Sequence, residues 1–154
     1  MVRLDLVSVG FVQENGSVVM VLRAPEQQRL LIMDIGTFEG RAIHMAAEGI
    51  DAARPLTHDL LASIISALNA RVNRVEIKAL KDGVFFAHLL IHAPNGDDLE
   101  LDCRPSDAVA LSLRVGAPIY VESAVLTEAG IDEEEGILTE EDNGDSDHDE
   151  PPVH

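Results

Sequence analysis

Apolar and polar residues alternate from Val2 to Val12, the period of a strand with one buried face. Asn15-Gly16 then supplies a hairpin turn. The chain returns over Ser17 to Leu22, breaks at Pro25, and alternates again over Arg29 to Ile35 as a third strand. After Gly36-Thr37 the period changes, and Phe38 to Glu48 reads as a helix with Glu39 in its first turn and Gly49 at its end. A loop over Asp51 to Leu56 leads to a second helix, His58 to Ala70, capped by Thr57. Leu60, Leu61, Ile64, Ile65 and Leu68 form its apolar stripe. The strand pattern resumes from Asn73 to Lys81, turns at Asp82-Gly83, returns over Val84 to Ala93, turns at Asn95-Gly96 and runs from Leu99 to Cys103.

At Arg104-Pro105 the pattern switches once more. Proline fixes its own φ and pushes the preceding residue out of the helical region. Ser106 is then placed to cap, with Asp107 in the first turn of a helix from Ala108 to Val115 that is apolar nearly all round and therefore expected to be buried. Ile119 to Glu122 reads as a last strand, and Val125 to Gly130 as a turn of helix.

Two three-strand meanders, each followed by a helix, make an α+β domain over 1–131 with a mixed, largely antiparallel sheet and three helices. Laying Leu31 to Gly49 over Leu99 to Ala117 matches Asp34 with Asp102, Glu39 with Asp107, Ala42 with Ala110 and Ile43 with Leu111. That correspondence suggests an internal duplication with an acidic residue entering the equivalent helix of each half. Ideal two-residue turns put Ile77 opposite His88, and His88 near Cys103, on an apolar face of the second meander. The core reading of His88 and Cys103 outweighs a metal site there. Leu80, Phe85, Leu89 and Ile91 then fall on the more polar face, from which a homo-oligomer is expected.

Composition sharpens this picture. The chain has 154 residues, 46% of them hydrophobic, but four Phe, one Tyr and no Trp, so the core must be aliphatic. The one cysteine excludes an internal disulfide framework and fits a reducing cytoplasm. No signal-peptide pattern precedes the first strand, and no apolar run approaches the roughly 20 residues of a membrane span. The formal net charge is −17, concentrated in 132–154, which is expected to be a disordered, solvating acidic tail. A sharper alternative makes the tail a nucleic-acid mimic that occupies an arginine-lined groove. The body is no basic clamp either, so any nucleic-acid role must rest on a few placed arginines or on metal ions that bridge carboxylates to phosphates.

RPLTHDLL at Arg54 to Leu61, RPSDAVALSLRVGAPIYVE at Arg104 to Glu122 and IGTFEGRAI at Ile35 to Ile43 together resemble the bifunctional nuclease family over about Met1 to Ile131. The resemblance implies cleavage of DNA and RNA. Asp34 departs from the family's apolar residue, and Gly40-Arg41 from its pair of small residues. Phosphodiester hydrolysis needs a positioned water, charge neutralisation and a stabilised leaving group, which carboxylates holding Mg²⁺ or Mn²⁺ supply. The candidates are Glu39, His58, Asp59 and Asp107 as catalytic groups and Arg54 and Arg104 as phosphate clamps, with Glu39, Asp102 and Asp107 as metal ligands. Each has a structural role to weigh against this, in helix first turns or as partners of the loop backbone. No Walker loop, zinc spacing or nucleophile elbow is present. The competing class is a non-enzymatic binding or regulatory module that uses the Arg54 and Arg104 loops to hold an anionic ligand or partner protein.

Overall fold

The computed structural model describes residues 1–136. Three strands, β1 (Val2–Phe11), β2 (Val18–Ala24) and β3 (Arg29–Ile35), precede two helices, α1 (Thr37–Ala47) and α2 (Thr57–Ala67). A second meander, β4 (Arg71–Lys81), β5 (Val84–His92) and β6 (Asp98–Cys103), leads into α3 (Pro105–Val115), β7 (Ile119–Val121), α4 (Ser123–Ala129) and β8 (Ile131–Asp132). The architecture is α+β, with one eight-stranded sheet in the order β6-β5-β4-β7-β1-β2-β3-β8. The short strand β7 joins the two meanders, antiparallel to β1 and parallel to β4.

The sheet buries one residue in two against the helices. Along β2, Val18, Met20, Leu22 and Ala24 are buried, and the last three share a core with Leu4, Leu31, Val75, Ile77, Ala87 and Val121. The sheet curves enough that α4 touches both β3 and β4, which have three strands between them. The helix α3 is buried from Ala108 to Ser112, as its all-round apolar sequence requires, and it ends where Gly116 adopts a left-handed φ of 72°.

Several expectations change. There are four helices rather than three, and helical backbone resumes over 133–136. The helix after the second loop stops at Ala67, not Ala70, because Asn69 turns left-handed and Ala70 N–H closes on Ile65 O at 3.1 Å. Folded contacts also run past Ile131. Asp132 pairs with Arg29, and Glu133 N–H donates to Gln28 O. The acidic stretch beyond, 137–154, lies outside the described residues.

The second meander slips by one residue relative to ideal turns. A bulge between Ile77 and Ala79 sets Ile77 opposite Ala87 and Glu76 opposite His88. The Asn95-Gly96 turn is one residue longer than assumed, with Ala93 N–H donating to Asp97 O and Gly96 at φ 94°. His88 therefore faces Glu76 and Asp102, whereas Cys103 faces Ala87 on the other side of the sheet. The slip also moves Leu80, Phe85, Leu89 and Ile91 onto the core side, where the first three pack against the core and Ile91 is itself buried. These four therefore do not form the outward apolar set expected from the sequence, although Val84, Phe86, Leu99 and Leu101 of β5 and β6 are exposed. The opposite face holds Glu76 buried between Arg74 and Lys78 at 2.6 and 3.1 Å. No helix among the described residues is long and apolar enough to cross a membrane.

Candidate functional site

Each of the three longer helices carries a carboxylate at its third position, where it complements the exposed N–H groups and positive dipole end of the first turn. The three carboxylates go on to different partners. In α2, Asp59 reaches back to accept the N–H of Leu56, the N-cap residue, at 2.8 Å. It also takes Arg114 Nε at 2.7 Å. These two bonds hold its carboxyl below the usual range. Leu56 rather than Thr57 is thus the boundary residue, and Asp59 serves architecture. It lines a separate cavity of about 420 Å³ between the ends of α1 and α3.

In α3 the extended N-cap residue is Arg104, held there by the proline that follows it, and Ser106 is buried in the first turn instead of capping. Arg104 Nε donates to Asp107 Oδ2 at 2.8 Å, and its NH2 group donates to Glu39 Oε1 at 2.6 Å. One guanidinium therefore ties the first turn of α3 to the first turn of α1, which belongs to the other half of the chain. Both carboxylates hold Arg104 firmly protonated. Asp107 Oδ1 in turn lies 2.9 Å from His58 Nε2. His58, only 6% exposed, is the one buried side chain of α2. Glu39, Arg104, Asp107 and His58 thus form a continuous polar chain across three helix starts.

This chain borders a cavity of about 610 Å³, polar at His58, Asp102, Arg104 and Asp107, and apolar at Leu61, Phe85, Phe86, Leu89 and Leu111. Arg104 also borders a neighbouring groove of about 480 Å³ against Asp34 and Gly36. Asp102 lies on the cavity rim but joins no carboxylate, and its closest charged partner is His88 at 3.9 Å. Arg54 is exposed and makes no hydrogen bond or ion pair with the described residues. Cys103 lines the same cavity. Burial, with the charges of Asp102 and Asp107, pushes its thiol up to about 11, so it is a wall and not a nucleophile.

The donor set does not suit a divalent ion as arranged. Among the described residues no three His, Cys, Asp or Glu side chains gather into a metal-holding group. Between Glu39 and Asp107, where a cation would sit, the site already holds the guanidinium of Arg104.

Two contributors escaped the sequence reading. Arg114 is half-buried among Asp59, Ala110 O and Ala42 O, and it fixes the start of α2 against α1 and α3. Its position in the last turn of a buried helix was the available signal. Gly36 leaves the space into which Glu39 folds, since a Cβ there would stand 2.1 Å from Glu39 Oε2. Nothing in the sequence marked that need.

The bifunctional nuclease domain model matches residues 20–134, which include all of these side chains. An uncharacterised protein of Mycobacterium tuberculosis, present in strains CDC 1551 and H37Rv, is 40% identical over 126 residues, covering 82% of this chain and 74% of that protein.

Proposed function

This chain belongs to the bifunctional nuclease domain family, and from that premise we propose that it cleaves phosphodiester bonds of DNA or RNA in the cavity beside His58 and Arg104. The observation that carries the reading is the His58–Asp107–Arg104–Glu39 chain at the cavity wall. Asp107 accepts the Nε2 proton of His58, which leaves Nδ1 to take a proton from a water as its oxygen bonds to phosphorus. The P–O bond to the leaving oxygen breaks, and that oxygen receives the proton back from Nδ1. Arg104 meets the phosphate and neutralises charge that builds on its oxygens. Glu39 sets the direction of Arg104, whereas Arg54 is exposed in the loop before α2, outside the lining of this cavity, and would meet only a strand that extends beyond it. Mg²⁺ or Mn²⁺ is expected from the chemistry of phosphodiester hydrolysis, but since the carboxylates do not fit it as arranged, no step is assigned to a metal.

The exposure of Arg104 and the unpaired Arg54 also favour a second reading, a non-catalytic module that holds an anionic ligand. One experiment separates the two. Highly purified protein is given single-stranded DNA and RNA with Mg²⁺, with Mn²⁺ and with EDTA, beside Asp107→Asn prepared identically. Cleavage that is lost in the variant supports the nuclease. Equal traces in both preparations, with oligonucleotide still bound, support the module.

A further inference from the structure

The helix α2 has the spacing of a core helix without the burial of one. Leu60, Leu61, Ile64 and Leu68 repeat on its apolar side, yet Leu60, Ile64 and Leu68 are 54%, 45% and 66% exposed. A row of large apolar side chains facing water on a folded domain marks an interaction surface. Its charge identifies the occupant. The whole chain carries −17, but from Leu60 to Ala70 no ionisable residue occurs. Two copies of so acidic a protein repel across most of their surfaces, and this uncharged strip lets them approach without opposing like charges.

The strip is also self-complementary. Leu60, Ile64 and Leu68 form a single i, i+4 ridge, flanked by the small, exposed Ser63 and Ala67. Such a ridge fits the equivalent groove of an identical helix running the opposite way. We propose that a second copy of this chain covers α2, the two helices crossing about a two-fold axis with Ile64 against Ile64 of the partner subunit. A contact related by two-fold symmetry uses one surface twice and closes, so the assembly is a dimer. Because His58 lies on the inward side of α2, the dimer covers the outside of the helix that carries it and leaves the candidate site intact. The inference does not depend on the nuclease reading.

Sedimentation velocity of the full chain tests it at micromolar concentration and at two salt levels. A dimer is expected, and it should tighten as salt rises, because screening removes repulsion between the acidic bodies. An interface made of ion pairs would weaken instead. Ile64→Asp should weaken association by about tenfold or more, with an unchanged circular dichroism spectrum because the position is exposed in the monomer. Should that variant misfold, Ile64→Cys in a Cys103→Ser background gives a second measurement. It should oxidise to a disulfide-linked dimer, whereas Leu60→Cys, which lies off the axis, should not. A wild-type monomer, a dimer that persists in Ile64→Asp, or equal cross-linking at positions 60 and 64 would each overturn the proposal.

Discussion

Arg104 and Glu39 lie 65 residues apart, one in each half of the chain, and are joined by a 2.6 Å charge-assisted hydrogen bond. The guanidinium is largely exposed, so the bond adds little to stability, since surface ion pairs are worth about 0–1 kcal/mol. Arg104→Ala should therefore melt within a few degrees of the wild type, yet lose about a hundredfold or more of cleavage as the phosphate loses its charge partner. Thermal melts beside oligonucleotide turnover check this. A large fall in melting temperature with cleavage intact would make the bond architectural.

Two glycines of the first half make opposite predictions. At Gly36 an added methyl would collide with the carboxylate of Glu39, the far end of a flexible side chain. Gly36→Ala should keep its stability but displace Glu39 from Arg104, and so lower turnover. At Gly40 the methyl would stand 2.4 Å from Val18 Cγ1 in the core, where α1 crosses β2 most closely. Gly40→Ala should cost about 1–3 kcal/mol in chemical denaturation, the range for overpacking a filled core.

Asp59 gives a pH signature. Its bonds to Leu56 N–H and Arg114 lower the folded-state pKa below the ordinary 3.8. The stability this confers is complete above the unfolded-state pKa and is lost as pH falls through the lower, folded value. Asp59→Asn should thus be less stable than the wild type at neutral pH, and the gap should close as pH drops below about 4. A gap that stays constant with pH would assign the loss to packing.

Much of this was legible in the sequence because it rests on local chemistry. The strand period, the Arg104-Pro105 break and the acidic first turns each declare themselves within a few residues, and the three motif segments do converge on neighbouring helix starts. What stayed hidden depends on distance. The bulge at Ile77 reverses which face His88 occupies, and no residue type announces it. The pairing of His58 with Asp107 and of Arg104 with Glu39 needs α1, α2 and α3 packed side by side, which spacing along the chain cannot supply. The local positions of Arg104, Glu39 and Asp107 mark each as a candidate, but that one guanidinium bonds both carboxylates follows only from the packing of α1 against α3.

The acidic stretch 137–154 provides the last test. Its removal deletes seven acidic residues and no basic one, which takes the formal charge from −17 to −10. Acting only as a solvating appendage, the stretch influences a bound oligonucleotide through screened charge, and at physiological salt that influence fades over about 8 Å. Fluorescence anisotropy with a labelled oligonucleotide should then give affinities within about twofold for the full chain and a chain ending at Gly136, with the shorter form precipitating sooner because acidic residues favour solubility. A gain of about tenfold or more at low salt, fading as salt rises, would mean that the stretch competes with nucleic acid for the arginines beside the cavity. In that case the same deletion should raise turnover at low substrate concentration and leave the maximal rate unchanged, because a competitor is displaced when substrate saturates.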